Sequence, residues 1–348
     1  MKKISTPGRI CLFGEHQDYL KLPVIAAAIN RRVAVSFSSR PDQQIAISLP
    51  DIGEKDGFHL DDASTYRKDR DYFKSCIVVL RRAGFEIDKG MDCMVRGNIP
   101  INSGTSSSSA LVVSWIGALL SVNGYTMEAK RIAELAVEAE VLEFGEAGGI
   151  MDQYSTALGD MIYLDTQSSH FQYLPAIEGT FVLGDSQLPK ATLEILLKNK
   201  NRILGAADKV LEVDSGFDLK TSPFDPSWGL DEDSMLVMRG TLRNRDITQE
   251  AKAMLGNDFD GDLFGRLLTE EHAILDQVYG LSPDKINTML SEAIRAGAKG
   301  GKINGSGGGG CMFAYAPEDP EKVAAAIEAV GGKAHIITID KGTKNENE

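Results

Sequence analysis

Runs of apolar residues along the chain predict an intermixed series of strands and helices. Short stretches rich in Val, Ile and Ala predict strands, and apolar residues at helical spacing predict helices. In the first half the predicted strands are 9–13, 24–38, 92–95 and 161–164, and the predicted helices are 72–83 and 127–144. A mostly helical region, 190–290, contains an irregular insert at 214–231. The last part predicts a helix at 285–296, a strand at 311–316, a helix at 320–330 and a strand at 334–339.

The order of these elements predicts the fold class. Helices and strands alternate without the regular spacing of a parallel strand–helix–strand unit, so we expect an α+β protein. The expected organisation is two domains, residues 1–180 and 181–348, that meet near residue 180. The polar tail, residues 341–348, is expected to be frayed.

Composition and charge narrow the range of partners. The chain has 348 residues, of which 43% are apolar and 25% charged, as in ordinary globular proteins. Its net charge of −13 argues against nucleic acid or an anionic membrane as the main partner. No apolar segment follows the basic start, and no run approaches a membrane span, so we expect a cytoplasmic protein. The four cysteines form no CxxC pair, which indicates neither a zinc site nor a disulfide framework.

The most informative stretch is residues 98–111, where a turn of small residues joins two apolar segments. A strand-like approach ends at Pro100, and the apolar run 111–120 predicts a buried helix. The four hydroxyls of residues 106–109 therefore lie where that helix begins. Free backbone N–H groups and the partial positive charge of a helix N-terminus favour phosphate there. A Ser-rich linker or a simple helix cap is the alternative, and a linker fits poorly between two directly joined apolar elements.

A glycine-rich run, residues 305–310, formally matches the GxGxxG dinucleotide pattern. That pattern requires a following helix, whereas a strand-like segment, 311–316, follows here, so the dinucleotide interpretation is rejected. Residues 297–302 lack the spacing and the hydroxyl of a Walker A sequence. The run remains a backbone segment that can approach something very closely, or a glycine-rich hairpin without a ligand.

Near the N-terminus, a strand containing Arg9 runs into the sequence Gly-Glu-His-Gln-Asp at residues 14–18. Glu15, His16 and Asp18 on one tight loop suit a polyhydroxylated ligand, because carboxylates accept hydrogen bonds from hydroxyls. The same three side chains could instead bind a metal or form an exposed turn with a capping aspartate.

The segment 140–153 contains two acidic residues of interest. Glu140 shares a predicted helix face with Ala136 and Phe144, and a carboxylate buried there needs a partner such as a metal ion. Asp152 follows a glycine turn and two apolar residues, which makes it a candidate base or charge anchor. Each acid alone is also compatible with a solvated or capping role.

Together these four blocks resemble those of the GHMP kinase family of small-molecule kinases, in the family's order from Pro7 to Tyr315. The block 7–19 resembles the signature of the galactokinases of that family, in which Gly-Glu-His-Thr-Asp-Tyr is usual. The block 148–153 resembles their Cys-Gly-Ile-Met-Asp-Gln, and the block 302–311 is closer to the mevalonate kinase form.

The resemblance implies a two-domain fold with the active site in the cleft between the domains. The N-terminal domain would be like domain 2 of ribosomal protein S5, and the C-terminal domain would be ferredoxin-like. By the same resemblance, Asp152 aligns with the catalytic base and Arg9 with the arginine beside it, while Ser108 and Glu140 align with Mg²⁺ ligands.

The resemblance also implies two groups of binding residues. Those implied to bind the substrate are Glu15, His16, Asp18 and Gly149. Those implied to bind ATP are Ser103, Gly104, Thr105, Ser106, Ser107, Ser108 and Ser109. A separate glycine-rich loop contains Gly305, Gly307, Gly308 and Gly309.

The sequence departs from the galactokinase pattern in several places. Asn102 and Thr105 replace the usual glycine and leucine of the phosphate loop, Gly148 replaces a cysteine, and residues 20–23 replace the usual Asn-Gly-Gly. The resemblance implies transfer of phosphate from ATP to the anomeric hydroxyl of a monosaccharide by a monomer or homodimer. The sugar stays open among galactose, galacturonate, arabinose, fucose and amino sugars. The alternatives are a mevalonate- or homoserine-type kinase and a catalytically silent sugar sensor.

Overall fold

The computed structural model describes residues 1–100, 103–177, 179–189 and 192–347. Asn102, where the phosphate loop departs from the galactokinase pattern, lies outside these residues. The elements of the first part are β1 Lys2–Phe13, β2 Val24–Ser39, β3 Gln44–Leu49, β4 Glu54–His59, α1 Tyr72–Arg82, β5 Met91–Gly97, α2 Ser107–Val122, α3 Ala129–Val137, α4 Met151–Leu158, β6 Met161–Asp165 and β7 His170–Tyr173.

A predominantly helical region and a short α/β region complete the chain. Its elements are β8 Phe181–Asp185, α5 Thr192–Val213, α6 Glu232–Gly256, α7 Gly261–Gln277, α8 Asp284–Arg295, β9 Gly300–Ile303, β10 Cys311–Tyr315, α9 Pro320–Ala329, β11 Lys333–Ile337 and β12 Lys344–Asn347. Within the described residues, no helix combines the length and apolarity needed to cross a bilayer.

The strands form two sheets. The larger has the order β12-β1-β2-β5-β3-β4, with β6 pairing to β2 and β7 to β6. The smaller has the order β11-β8-β10-β9 and is antiparallel throughout. This mixed arrangement confirms the predicted α+β class, and the division at residue 180 stays a prediction.

The prediction that the polar tail is frayed was wrong for residues 344–347. Residues 344–347 form β12, which pairs antiparallel with β1 from Lys2 to Ser5. The side chain of Arg32 fixes the approach to this strand by donating to Asp340 Oδ2 (2.7 Å) and to the carbonyl of Gly342 (2.7 Å). The tail is polar because its strand lies at a sheet edge, where the ordering contacts come from the backbone and from ion pairs.

β1 lies between two cores and is buried almost along its whole length. Ile10, Leu12 and Phe13 belong to a core shared with the C-terminal helices. Ile4 and Cys11 belong to the other core, which contains α1–α4. Because successive side chains of a strand point to opposite faces, one strand joins both cores. The loops at its end are therefore held by both halves of the chain.

α2 is apolar on every side because it is enclosed by other elements. It packs against β1 and β2 and against α1, α3 and α4. Trp115 on this helix is fully buried, and its indole N–H donates to the carbonyl of Phe73 at 3.0 Å. An all-round apolar helix is expected in such a position. Its N-terminus, with the serine run (residues 103–109), is thereby fixed within the molecule.

Candidate active site

Arg9 links the serine run to Asp152. It lies between two irregularities of the β1–β2 ladder, and such bulges redirect side chains. Its guanidinium is 4% exposed and donates to Asp152 Oδ1 from Nε at 2.9 Å and from Nη2 at 2.6 Å. Nη1 donates to the carbonyl of Gly104. Burial opposes the charge, but the carboxylates of Asp152 and Glu15 outweigh it and raise the pKa of Arg9.

Asp152 lies in the first turn of α4, where the helix dipole favours a negative charge. Its side chain is 34% exposed, so the carboxylate is anchored on one side and open to the cleft on the other. Gly148 and Gly149 precede this helix in an irregular segment, and not in the turn that the sequence predicted.

The backbone of the serine run is held against β1. Ser106 has a left-handed conformation (φ 59°), and α2 begins at Ser107, as the sequence predicted. The N–H of Arg9 donates to the carbonyl of Thr105 at 3.1 Å. A Cβ at Gly8 would lie 2.7 Å from that carbonyl oxygen, so only glycine allows this approach.

The hydroxyls of this run divide into two groups. Ser103 Oγ donates to the carbonyl of Pro100 at 2.7 Å and lies 2.7 Å from Thr105 Oγ1, so both of these hydroxyls serve the loop itself. Ser106 Oγ is buried without a hydrogen-bond partner among the described residues, and Ser108 is exposed. The second group is available to an anion at the helix N-terminus.

Glu140 lies next to this helix end. A π-helical turn, Glu138–Leu142, carries it, and Glu140 itself is 5% exposed, as expected. Glu140 Oε2 accepts a hydrogen bond from Gln153 Nε2 at 2.7 Å. Burial raises the pKa of Glu140, while hydrogen bonds from Ser108, Gln153 and Ser109 act in the opposite direction. The carboxylate and the Ser108 hydroxyl are therefore neighbours.

The GEHQD loop, residues 14–18, follows β1 directly. Glu15 Oε2 accepts hydrogen bonds from the N–H of Gly305 at 2.7 Å and from Lys302 Nζ at 3.2 Å. Glu271 Oε1 accepts hydrogen bonds from the backbone N–H groups of Gly14 (3.1 Å) and Glu15 (2.9 Å). Glu15 lines the cleft, but one of its carboxylate oxygens already accepts hydrogen bonds from the protein.

His16 and Asp18 complete the loop. His16 Nδ1 lies 2.8 Å from the hydroxyl of Tyr19, and Nε2 lies 3.2 Å from the carbonyl of Ser306. The metal interpretation of Glu15, His16 and Asp18 finds no support, because no group of three or more His, Cys, Asp or Glu side chains in the described chain could hold a metal ion.

Asp18 is the carboxylate of the loop nearest to Asp152. Burial, and secondarily the charge of Asp152, raise the pKa of Asp18 to about 6. A Cβ at Gly149 would lie 2.0 Å from Asp18 Oδ2, so the glycine makes room for this side chain. Two carboxylates therefore share one end of the cleft.

The glycine-rich loop packs mainly against protein. A Cβ at Gly305 would lie 2.8 Å from the carbonyl oxygen of Gly104, and one at Gly308 would lie 2.2 Å from Ile195 Cδ1. A Cβ at Gly307 would come similarly close to Leu281, and one at Gly309 would come similarly close to the carbonyl oxygen of Pro189. Of this loop, Gly305 and Ser306 line the cleft. The close approach that the sequence predicted is largely made to neighbouring segments.

One cleft of about 560 Å³ joins all of these features. Arg9, Asp18 and Asp152 lie in it, together with the serine run and Glu140. An apolar part that the sequence analysis missed is lined by Val33, Leu49, Ile52, Val95, Ile99 and Leu111. The volume is typical of a site for a small molecule.

Some functional candidates were not predicted from the sequence. The turn between β3 and β4 brings Ile52 to the cleft, and Asp51 Oδ2 fixes it by accepting from the N–H of Gly97 at 2.7 Å. The only local signal was the turn sequence Pro50–Gly53. Gln153, which follows Asp152 and donates to Glu140, was not predicted as a site residue either.

Family profiles match three parts of the chain. The profile of the "GHMP kinases N terminal domain" matches residues 71–160, and that of the "GHMP kinases C terminal" matches residues 251–333. The profile of the "Galactokinase galactose-binding signature" matches residues 3–39, which include Arg9 and the GEHQD loop.

Curated relatives include two kinds of kinase. The mevalonate kinase of Thermococcus onnurineus is 31% identical over 98% of this chain and 97% of its own length. The galactokinase of Ligilactobacillus salivarius is 30% identical over 94% of this chain and 88% of its own length.

Solved structures that are similar to this chain include the same two kinds of kinase. The Lactococcus lactis galactokinase complexed with galactose has a TM-score of 0.85 and 25% identity, covering 99% of this chain and 94% of that chain. The Methanococcus jannaschii mevalonate kinase has a TM-score of 0.76 and 19% identity, covering 97% of this chain and 98% of that chain, a likeness of fold alone.

Proposed function

This chain belongs to the GHMP kinase family, whose members are ATP-dependent kinases, and from that premise we propose that it phosphorylates the anomeric hydroxyl of a monosaccharide. Galactose is the leading candidate, and the product would be a sugar 1-phosphate. The observation that carries the proposal is Arg9, which bonds both Asp152 and the serine run within one cleft.

The proposed division of the cleft follows from its chemistry. The N-terminus of α2 and the hydroxyls of Ser106 and Ser108 suit the phosphates of ATP, and the apolar part beside Ile52 suits the adenine base. Asp152 would hold the attacking hydroxyl in line and accept its proton. Arg9 would keep Asp152 oriented and offset the charge on the attacking oxygen. In phosphoryl transfer, such positioning and charge neutralisation supply most of the acceleration.

Glu140 and Ser108 fit Mg²⁺ in their donor chemistry. A buried carboxylate beside a hydroxyl provides the hard oxygen ligands that Mg²⁺ prefers, and the phosphates and water would complete the set. When bound, the ion would neutralise charge on the phosphates. Metal binding requires the deprotonated carboxylate, and the hydrogen bond from Gln153 to Glu140 favours that form.

Ser108→Ala is expected to raise the Mg²⁺ concentration needed for tight ADP binding by about tenfold, since one hydroxyl ligand contributes roughly a kilocalorie or more. The measurement is calorimetric titration of ADP at a series of Mg²⁺ concentrations. Ser121→Ala, at the other end of the same helix, is the matched control. Superimposable Mg²⁺ curves for Ser108→Ala and the parent would remove Ser108 from the metal site.

The charges around Asp152 favour a neutral, hydroxyl-rich acceptor. The cationic side chains lining the described part of the cleft are Arg9 and Arg70, and each already pairs with a carboxylate, Asp152 at 2.6 Å and Glu146 at 2.5 Å. An acceptor carboxylate beside Asp18 and Asp152 would be repelled. Mevalonate, which carries a carboxylate, is the second candidate because of the 31% identity to the Thermococcus onnurineus enzyme.

Asp18→Asn is expected to raise the KM of the acceptor at least about tenfold and to stabilise the protein above pH 6. The folded state holds the pKa of Asp18 at about 6, above its ordinary value of 3.8. Folding stability therefore falls as pH rises from about 4 to about 6, by at most about 3 kcal/mol, and stays lower above that range. Asparagine removes this penalty.

The check on Asp18→Asn is the urea midpoint of parent and variant at about pH 4 and about pH 8. The variant should gain stability only at the higher pH. A difference that does not depend on pH would contradict the assignment of the charge to a desolvated Asp18.

The proposed function is tested by ADP release across a panel of acceptors: galactose, galacturonate, arabinose, fucose, galactosamine, mevalonate and homoserine. Sugar-dependent release supports the proposal, and release with mevalonate alone would replace it by the second candidate. Sugar binding without any ADP release would identify a silent sensor.

A further inference from the structure

Three buried charged side chains, one of them from the GEHQD loop itself, form a cluster at the base of this loop. Lys302 on β9 and Glu271 on α7 are fully buried, and the side chain of Glu15 is 3% exposed. Lys302 Nζ lies 3.2 Å from Glu15 Oε2 and 3.6 Å from Glu271 Oε1, and it donates to the carbonyl of Cys11 at 2.9 Å. Glu15 and Glu271, which are 256 positions apart in the chain, thus meet in this cluster.

Glu271 contacts the loop through its backbone. Its Oε1 accepts both the N–H of Gly14 (3.1 Å) and that of Glu15 (2.9 Å), while Oε2 has no hydrogen-bond partner among the described residues. Hydrogen bonds to an ionised carboxylate are roughly twice as strong as neutral ones. The ionisation of Glu271 therefore decides how firmly these two N–H groups are held.

We propose that Glu271 is a positioning residue for the acceptor, which holds the GEHQD loop while it is ionised and loosens the loop when it takes up a proton. The proposal rests on the proposed function only in taking this loop as the acceptor-binding segment. Its central residues, Glu271 and Lys302, do not line the cleft, and the family resemblance did not assign them.

The surrounding charges favour proton uptake near neutral pH. The cluster holds two carboxylates and one ammonium, so full ionisation would leave a net negative charge in a dry site. Burial raises the pKa of Glu271 to about 7, with Lys302 acting against the rise and Glu15 adding to it. Among the described residues, other titratable groups that face the cluster are Arg9 and Cys11 on β1, Asp18 and Tyr19 at the end of the loop, Tyr279 after α7 and His272 on α7 itself.

The effect would fall on the acceptor and not on ATP. The serine run is held by different contacts, namely Arg9 and the side chain of Asn304, whose Nδ2 donates to the carbonyl of Gly104 at 2.8 Å. Loosening the GEHQD loop would move Asp18 and His16 and leave the phosphate end in place. As pH falls through 7, the acceptor KM should rise while the ATP KM stays constant.

Glu271→Gln is the direct test, with Glu270→Gln as the matched control. Glu270 is the next residue on the same helix, and it pairs with Arg243 at the surface. At about pH 8, Glu271→Gln should raise the acceptor KM about tenfold, with kcat within about twofold of the parent, because two charge-assisted hydrogen bonds become neutral ones. As pH falls to about 6, the parent should approach the acceptor KM of the variant measured at the same pH, and the variant should lack the rise in KM near pH 7. A further rise in the acceptor KM near pH 6, expected from protonation of Asp18, should occur in both proteins.

A second readout does not depend on the acceptor or on the stability of a variant. In the parent protein, hydrogen-exchange protection factors of the amides of Gly14 and Glu15 should fall at least about tenfold between pH 8 and pH 6, relative to the amides of α2. Protection factors that do not change with pH, or an acceptor KM and pH profile of Glu271→Gln equal to those of the parent, would overturn the proposal. A pH-dependent loop in a protein that phosphorylates no sugar would contradict the proposed function alone.

Discussion

Replacing Asp152 by asparagine is expected to lower kcat by about 100- to 10,000-fold, the usual contribution of a positioned base. The amide keeps an oxygen that Arg9 can bond, so the side chain should stay in place while it loses the ability to accept a proton. Among the described residues, no hydrogen bond joins the Asp152 carboxylate to a hydroxyl of the serine run, so the affinity for ATP should stay within about threefold of the parent value.

The measurement is steady-state ADP release together with calorimetric binding of a non-hydrolysable ATP analogue. Asp160→Asn is a matched control, because Asp160 follows the same helix but pairs with Lys341 outside the cleft at 2.8 Å. Parent-like turnover by Asp152→Asn would remove this residue from the chemistry. A parallel loss of nucleotide affinity would mean that the substitution disturbs the serine run through Arg9.

Replacing Lys302 by methionine is expected to destabilise the protein by about 3–5 kcal/mol, the usual result when one partner of a buried ion pair is removed. Lys302 is the ammonium between two carboxylates, at 3.2 Å from Glu15 and 3.6 Å from Glu271. Without it, both acids are buried next to each other. The double variant Lys302→Met/Glu271→Gln removes one of these charges and should regain part of the loss.

Urea unfolding of the two variants and the parent measures this coupling. Lys299→Met is the matched control, since Lys299 lies next to the same strand and pairs with Asp262 near the surface. The loss of folding stability caused by Lys299→Met should be within about 1 kcal/mol. A loss of that size for Lys302→Met, or a double variant less stable than Lys302→Met, would contradict a shared buried cluster.

Local sequence patterns predicted part of the site. The serine run at a helix start and the buried position of Glu140 each depend on residues close together in sequence. The helix α4, which carries Asp152, was not predicted. The strands β3, β4, β7, β8, β9 and β12 were missed, because they are only four to six residues long. The strand at 9–13 was expected too short, since polar residues and Pro7 hide its first half, which is ordered by pairing with β2 and β12.

Long-range contacts could not be predicted in the same way. Nothing around Glu271 distinguishes it from Glu270 on the same helix, yet Glu271 is buried and Glu270 is exposed. Its partners are N–H groups more than 250 positions away, a relation that arises only when the two halves pack together. The glycine-rich loop shows the same limit, since its need for glycine comes from Gly104 and Ile195 in distant segments.

The identity of the phosphorylated oxygen is the most direct test of a cleft in which Asp152 faces the anomeric hydroxyl of a sugar. The product formed from ATP and the best sugar of the panel is analysed by phosphorus NMR and by its half-life in mild acid. An acid-labile phosphate coupled to the anomeric proton is the expected result. An acid-stable phosphate on a primary hydroxyl, or phosphorylation of mevalonate alone, would contradict it.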